Sequence, residues 1–180
     1  MSRPADYLVR LAQFEDIDAI RQLMAVSMRV LLPRFLTAEQ VRRSADSMGV
    51  DTGLIADQTY SVVFDGPDLV GCGGWSRRRT LFGGDASANR DDALADPATE
   101  PAKIRAMYTH PDYTRQGIGR RLLEVSEQAA RSEGFKSAEM GSTAPGLPLY
   151  LACGYDVVED VSVVYDDAVS VPIIRMRKLL

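Results

Sequence analysis

Residues 113–120 read YTRQGIGR and lead directly into the segment RLLEVSEQAARSEG. Apolar residues recur there at the spacing of one helix face, at Ile118, Leu122, Val125 and Ala129. The segment KIRAMYT, residues 103–109, precedes the turn and predicts a strand. Glycine is a poor helix former, so the presence of Gly117 and Gly119 at the N-terminus of this helix needs a physical reason.

A ligand with phosphate groups is one reason for such a turn. The first N–H groups of a helix lack partners and its dipole is positive there, so phosphate binds well. Glycines would let a diphosphate reach the backbone, Arg115 and Arg120 would add charge, and Gln116 would add a neutral donor. The alternative is a tight turn with solvated arginines, and the spacing alone leaves both open. A dinucleotide fingerprint is incomplete because Leu122 stands where its third glycine would be, and no GxxxxGK[ST] loop occurs.

The remaining patterns predict one α/β domain over residues 1–180, with the element order βααβββαβαββ. The expected sheet is mixed, with about six to seven strands flanked by about four helices. The strands are predicted over residues 7–13, 59–64, 69–76, 103–109, 137–141, 155–164 and 173–178. The helices are predicted from Asp16, from the capping box at Thr37, after the glycine turn, and over residues 145–152. Residues 80–101 are rich in Gly, Ala, Asp and Pro, which predicts a surface insertion that is mobile or functional.

Composition excludes several classes of function. The formal net charge of the 180 residues is -4, which disfavours binding to nucleic acid through phosphate attraction. There is no apolar run long enough for a membrane helix, and the N-terminus lacks the apolar core of a signal peptide, so we expect a cytoplasmic protein. Cys72, Cys153 and His110 have no neighbours at metal-ligand spacing, so no metal is expected. Reduced, unreactive cysteines are favoured over a cysteine–histidine nucleophilic pair.

Two stretches resemble the motifs of a known family. The segment HPDYTRQGIGRR, preceded by IRAMYT, resembles motif A of the GNAT superfamily of acyl-CoA-dependent N-acyltransferases, and APGLPLYLACGY resembles its motif B. The predicted element order also matches that fold from Tyr7 onward. The family's pyrophosphate loop is written [RQ]xxGx[GA], and Thr114 departs from it at the first position. This departure shifts the cationic role to Arg115 and leaves the backbone cradle intact.

The resemblance implies a binding site for acetyl-CoA as the acyl donor. In this fold the strand before the loop splays from the next parallel strand, and the pantetheine arm lies in the gap. The implied contacts are the backbone of Met107, Tyr108 and Thr109 for pantetheine, the loop residues Arg115, Gln116, Gly117, Ile118, Gly119 and Arg120 for pyrophosphate, and the hydroxyl of Thr143.

The resemblance also implies catalytic roles. Tyr150 matches the motif-B tyrosine, which would act as a general acid and protonate the departing CoA thiolate; the alternative is core packing. Where many members carry a glutamate base this chain has Lys103, so Glu139 on the next strand is the candidate base. The alternatives are that Glu139 is a solvated strand residue and that water takes the proton.

Acceptor recognition lies outside the family motifs. The candidates are residues 29–35, Trp75 and the insertion from Thr80. The run of arginines at 77–79 would attract an acidic acceptor or would form a solvated strand end.

The implied reaction is transfer of an acetyl group from acetyl-CoA to a primary amine of a small molecule or peptide. The amine would attack directly in a ternary complex, without a covalent enzyme intermediate. The alternative is a non-catalytic acyl-CoA-binding sensor or regulatory module; an oxidoreductase is disfavoured by the incomplete fingerprint. The resemblance is also compatible with a homodimer.

Overall fold

A computed structural model describes residues 7–88 and 90–180 of the chain. Its described part contains five helices: α1 (Ile17–Leu31), α2 (Ala38–Ser47), α3 (Thr52–Ala56), α4 (Ile118–Ser132) and α5 (Leu147–Ala152). The capping box predicted for α2 is present, since Thr37 accepts a hydrogen bond from the Gln40 N–H and Gln40 accepts one from the Thr37 N–H. The short α3 was not predicted, because five residues carry no helical period; its start is capped by Asp51, which accepts from the Gly53 N–H.

The strands form one large mixed sheet and a small hairpin. The described strands are β1 (Leu8–Leu11), β2 (Tyr60–Asp65), β3 (Asp68–Ser76), β4 (Ala102–Thr109), β5 (Ser137–Ser142), β6 (Asp156–Asp160), β7 (Val163–Val164), β8 (Ser170–Val171) and β9 (Ile174–Leu179). The seven-stranded sheet has the order β1-β2-β3-β4-β5-β9-β6, and β7 pairs with β8. Only the β4–β5 pairing is parallel among the described strands. The predicted fold class is confirmed, but the strand predicted over 155–164 is divided between β6 and β7.

Helices cover both faces of the sheet. Successive strand residues point to opposite faces, and Val62 and Val63 of β2 therefore belong to different clusters. Val62 packs with α1 through residues such as Ile20 and Met24. Val63 packs with α4 through Ile118 and Leu122. All six side chains are buried, so each helix turns an apolar face toward the sheet, as predicted for α4.

The parallel strands β4 and β5 separate soon after they meet. They pair only at Ala102 with Ala138 and at Lys103 with Glu139. Past this point β4 carries a bulge, where Ala106 has φ +51° and the register with β3 shifts. The Tyr60 hydroxyl donates to the Ala106 carbonyl at 2.7 Å and holds the bulge in place. The edge of β4 that faces β5 is therefore open beyond its first two residues, as the family resemblance implied.

The segment between β3 and β4 is held against the rest of the domain. Within residues 77–88 and 90–101 the structure forms one isolated bridge, between Arg78 and Leu94, and no named strand or helix. The buried Arg105 of β4 donates to the carbonyls of Thr80 (2.8 Å) and Gly83 (2.5 Å) and to the carboxylate of Asp51 (2.8 Å). A buried guanidinium with three acceptors fixes the start of this segment beside the open edge of β4.

Candidate functional site

A cleft of about 470 Å³ lies between the end of β4 and the helices α1, α4 and α5. Nine of the ten residues predicted to bind CoA line it: Met107, Tyr108, Thr109, Arg115, Gly117, Ile118, Gly119, Arg120 and Thr143. Gln116 does not line the cleft. Its side chain accepts from the Tyr7 hydroxyl at 2.7 Å and donates to the Asp112 carbonyl at 3.1 Å, so it stabilises the turn from outside.

The glycine turn exposes the start of α4 to this cleft. Gly117 is the residue before the helix and has φ +87°, a conformation that favours glycine. The first hydrogen bond of the helix runs from the Arg121 N–H to the Gly117 carbonyl. The N–H groups of residues 118–120 therefore have no acceptor within the helix. Gly119 has a packing role as well, because a Cβ there would lie 2.6 Å from the Leu149 side chain.

Two cations at this cleft are available to an anion. Arg115 and Arg120 have no carboxylate partner among the described residues. The Arg120 guanidinium makes a single long hydrogen bond, of 3.4 Å, to the Ala152 carbonyl. Free N–H groups, the positive end of a 15-residue helix and two uncompensated cations together form a site suited to a phosphate or diphosphate.

A second, smaller cavity of about 90 Å³ adjoins the first. Its wall comes from β4, β5, the segment after α2, residues 81–83 and the β7–β8 hairpin. The two cavities share five wall residues: Met48, Met107, Tyr108, Thr143 and Tyr150. A group bound in the large cleft can therefore meet a group bound in the small cavity at this junction.

Tyr150 both packs in the core and borders the junction. It is 7% exposed, and its ring packs edge-on against Tyr155 with centroids 6.2 Å apart. A Cβ at Gly146 would lie 2.7 Å from the ring, so glycine at that position makes room for it. The Tyr150 hydroxyl makes no hydrogen bond to any described residue. Burial raises the pKa of Tyr150, so the phenol stays protonated and remains a donor at neutral pH.

Glu139 lies outside both cavities. It is 3% exposed, and its carboxylate accepts from Lys103 at 2.6 Å and from Arg175 at 2.8 Å. Burial by itself would raise the pKa of Glu139, but the hydrogen bonds from Lys103 and Arg175 outweigh it and lower the pKa overall. The interpretation of Glu139 as a solvated strand residue is wrong. A carboxylate engaged by two cations is also a weak base, and the structure does not bring it to the junction.

The two cysteines and the single histidine, considered above as a cysteine–histidine nucleophilic pair, also lie away from the junction. Cys72 is fully buried, which raises the pKa of its thiol to about 12, and burial raises the pKa of Cys153 as well. The His110 ring accepts a hydrogen bond from the Asp112 N–H near the surface. None of the three lines either cavity. In the described ranges, no group of three His, Cys, Asp or Glu side chains is arranged to hold a metal ion.

The acceptor predictions had mixed outcomes. The arginines at 77–79 pair with Glu133, Asp57 and Glu100 respectively, so they neither form a free solvated end nor offer uncompensated charge to an acidic acceptor. Trp75 is buried against Phe135 and lines neither cavity. Residues 81–83 of the predicted insertion do line the small cavity, and Leu31 and Leu32 line the large cleft.

Sequence reasoning missed most of the small cavity's wall. Met48, Met140, Val163, Val171 and Ile173 carry no motif and are far apart in the sequence. Their only shared signal is that they are apolar, which is also the signal of an ordinary core residue.

No helix in the described part of the chain is long and apolar enough to cross a membrane.

Comparisons with known proteins agree with this geometry. The chain has the fold of the GCN5-related N-acetyltransferase from Rhodopseudomonas palustris (TM-score 0.70, 18% identity, covering 100% of this chain and 98% of that one). It is also similar in fold to PaiA N-acetyltransferase from Thermoplasma acidophilum in complex with coenzyme A (TM-score 0.65, 13% identity, 97% and 99% covered). A third is YncA from Salmonella typhimurium with acetyl-CoA (TM-score 0.64, 18% identity, 97% and 94% covered).

At the level of sequence, no curated protein matches the chain. A family model does match, over residues 22–155, which include the glycine turn, the splayed strands and Tyr150. The resemblance noted in the two motifs is thereby confirmed: the chain belongs to the acetyltransferase (GNAT) family.

Proposed function

We propose that this protein transfers an acetyl group from acetyl-CoA to a primary amine by direct attack in a ternary complex. The observation that carries the proposal is the junction of the two cavities at Met107, Tyr108, Thr143 and Tyr150. One cavity begins at an anion-binding helix start and the other is separate from it, so two substrates can be bound at once. The membership of the chain in an acetyltransferase family supports the same reaction.

The large cleft is the proposed binding site of acetyl-CoA. The diphosphate binds the free N–H groups at the start of α4, with Arg115 and Arg120 compensating its charge. The pantetheine arm lies along the open edge of β4, where backbone groups past Lys103 have no partner on β5. Its amides pair with those groups as an added strand would. Similar solved folds with coenzyme A or acetyl-CoA bound support this assignment.

The reaction follows from the groups at the junction. The amine nitrogen attacks the thioester carbonyl, forms the new C–N bond and displaces the CoA sulfur. A backbone N–H of the β4 segment 107–109 stabilises the oxyanion, and the protonated Tyr150 hydroxyl gives its proton to the departing thiolate and regains one from water. Since neither cavity has a carboxylate or histidine among its described wall residues, water takes the proton lost by the amine.

The binding half of the proposal is tested at Gly117. Asp and Asn have nearly the same shape and both tolerate positive φ, so G117D and G117N share any backbone strain and differ in charge. We expect G117D to bind acetyl-CoA about tenfold more weakly than G117N or worse, because a carboxylate would face the diphosphate (~1.4 kcal/mol or more). Titration calorimetry measures both affinities, and thermal melts establish that both variants fold. Equal affinities for the two folded variants would show that the diphosphate does not bind at this turn.

The catalytic half is tested by turnover. Release of free CoA thiol in the presence of a panel of primary amines should depend on the amine, and the acetylated amine should be detected by mass spectrometry. Tight binding of acetyl-CoA with no acetyl transfer to any amine or peptide would instead support the sensor alternative. The homodimer stays a prediction, which sedimentation velocity would check.

A further inference from the structure

The small cavity combines apolar side chains with a few neutral polar ones, and no carboxylate lines it in the described part of the chain. Its side chains include Phe82, Ile104, Met140, Val163, Val171 and Ile173. Among the described residues that line it there is no carboxylate and no histidine. Arg105 is its one described charged wall residue, and that guanidinium is already bound to Asp51 and to two backbone carbonyls.

The charge behind this wall is also compensated. Asp51 accepts from Arg105 at 2.8 Å and from Arg90 at 3.2 Å, and Arg90 pairs in turn with Asp92 at 3.1 Å. The two arginines and two aspartates therefore carry no net formal charge. Glu139 is likewise held by Lys103 and Arg175.

Such a cavity does not stabilise a bound ammonium ion. Moving a cation from water into an apolar site is costly unless an anion compensates it. The acceptor must therefore arrive neutral, and its neutral fraction depends on its own pKa. At pH 7 an alkylamine like that of lysine, with a pKa near 10.4, is neutral in about one molecule in 2,500, whereas an α-amino group with a pKa near 8 is neutral in about one in ten.

We infer that the acceptor is a weakly basic amine, such as the α-amino group of an uncharged amino-acid amide or peptide, carried on a small apolar group that fills this cavity. The inference rests on the proposed function and adds a substrate class to it. Polyamines and other strongly basic, cationic amines are predicted to be poor acceptors.

Leucinamide and 3-methylbutylamine test the inference, because they carry the same apolar branch and differ in amine pKa. We expect kcat/KM for leucinamide to exceed that for 3-methylbutylamine by about tenfold or more at pH 7, because the difference in neutral fraction is only partly offset by the greater nucleophilicity of the more basic amine. For each amine, kcat/KM should rise with pH toward that amine's own pKa. Spermidine should be the poorest of the three. If the pH profiles of kcat/KM for both amines bend at the same pH below 7, an enzyme group acts as the base. If spermidine is the best acceptor, the enzyme has a site for cations. Either result overturns the inference.

Two neighbouring valines provide a matched pair of variants. Val163 is partly buried and lines the cavity, whereas Val164 is 70% exposed and does not line it. V163E places a carboxylate beside the acceptor that can bind the ammonium form, accept its proton as the nitrogen attacks and pass that proton to water. This variant should therefore reduce the preference for leucinamide over 3-methylbutylamine by about tenfold. V164E should leave the preference unchanged. If both variants keep the wild-type preference, the acceptor does not occupy this cavity.

These outcomes are separable from a failure of the proposed function. If no amine in the panel is acetylated while acetyl-CoA binds, the transferase proposal fails. If acetylation is detected but favours the strongly basic amines, the transferase proposal stands and the inference about the acceptor fails.

Discussion

Tyr150 belongs to the hydrophobic core and to the junction of the two cavities, and these two roles are compatible. Its ring packs against Tyr155 in the space that Gly146 leaves, which fixes the position of the hydroxyl oxygen. Burial raises the pKa of the phenol and keeps its proton in place at neutral pH. The Tyr150 side chain therefore borders both cavities while its ring packs in the core.

The Tyr150→Phe variant tests this role because it removes the hydroxyl and keeps the ring. We expect folding and acetyl-CoA affinity to change little and kcat to fall by roughly 10²-fold. A free thiol has a pKa near 8.5, so the thiolate leaves more easily without help as the pH rises, and the deficit should shrink toward that pH. Measurements of kcat against pH for both proteins check this prediction. Equal rates at every pH would show that Tyr150 only packs in the core.

At the scale of elements, the separation of β4 from β5 creates the site. The two strands share only two parallel rungs, and the second of them joins Lys103 to Glu139. The ion pair between these side chains is buried, and Arg175 of β9 completes it. This cluster therefore joins three strands at the point from which β4 and β5 diverge. Glu139 is thus assigned to the stability of the splayed sheet.

The Glu139→Gln variant separates a structural role from a catalytic one. Removal of one charge from a buried pair leaves Lys103 uncompensated, so we expect the free energy of unfolding to fall by about 3 kcal/mol. The double replacement Lys103→Met and Glu139→Met removes both charges and should cost less than the single change. Chemical denaturation at pH 7 measures the three stabilities. A stable Glu139→Gln variant with a large loss of kcat would instead support the hypothesis that Glu139 is the general base.

The same pair predicts how stability depends on pH. The pKa of Glu139 is lower in the folded protein than in the unfolded chain, so its contribution is complete above the unfolded value near 4.3. That contribution is lost as the pH falls from there through the folded pKa. The difference in stability between the wild type and Glu139→Gln should therefore narrow over this acidic range.

At the scale of the whole molecule, two cavities that meet inside one domain favour a reaction in which both substrates are bound together. An acyl-enzyme route would need a reactive nucleophile at the junction. Both cysteines have raised thiol pKa values and lie away from it, so neither is a good nucleophile near neutral pH.

The double variant Cys72→Ala and Cys153→Ala should therefore keep most of its turnover. Initial rates measured against both substrates should give intersecting lines in double-reciprocal plots, as a ternary complex requires. Incubation with acetyl-CoA alone should leave no acetyl group on either cysteine by mass spectrometry. Parallel lines together with an acetylated cysteine that passes its acyl group on would contradict direct attack.

The sequence predicted the α/β fold class and the glycine turn, and its resemblance to the family implied the motif-B tyrosine and ten CoA contacts, nine of which line the proposed cleft. The fold class and the turn could be predicted because they are encoded by neighbours in the chain, as a helical period, a capping box or glycines at a fixed spacing, and the site residues could be predicted because two short motifs resemble those of the family. Only the tertiary structure showed that Glu139 is buried between two cations, that the arginines at 77–79 are paired, and that Met48, Phe82 and Val163 share one cavity. Those contacts join residues that are distant in the sequence, and burial and charge compensation depend on which of them the folded sheet brings together.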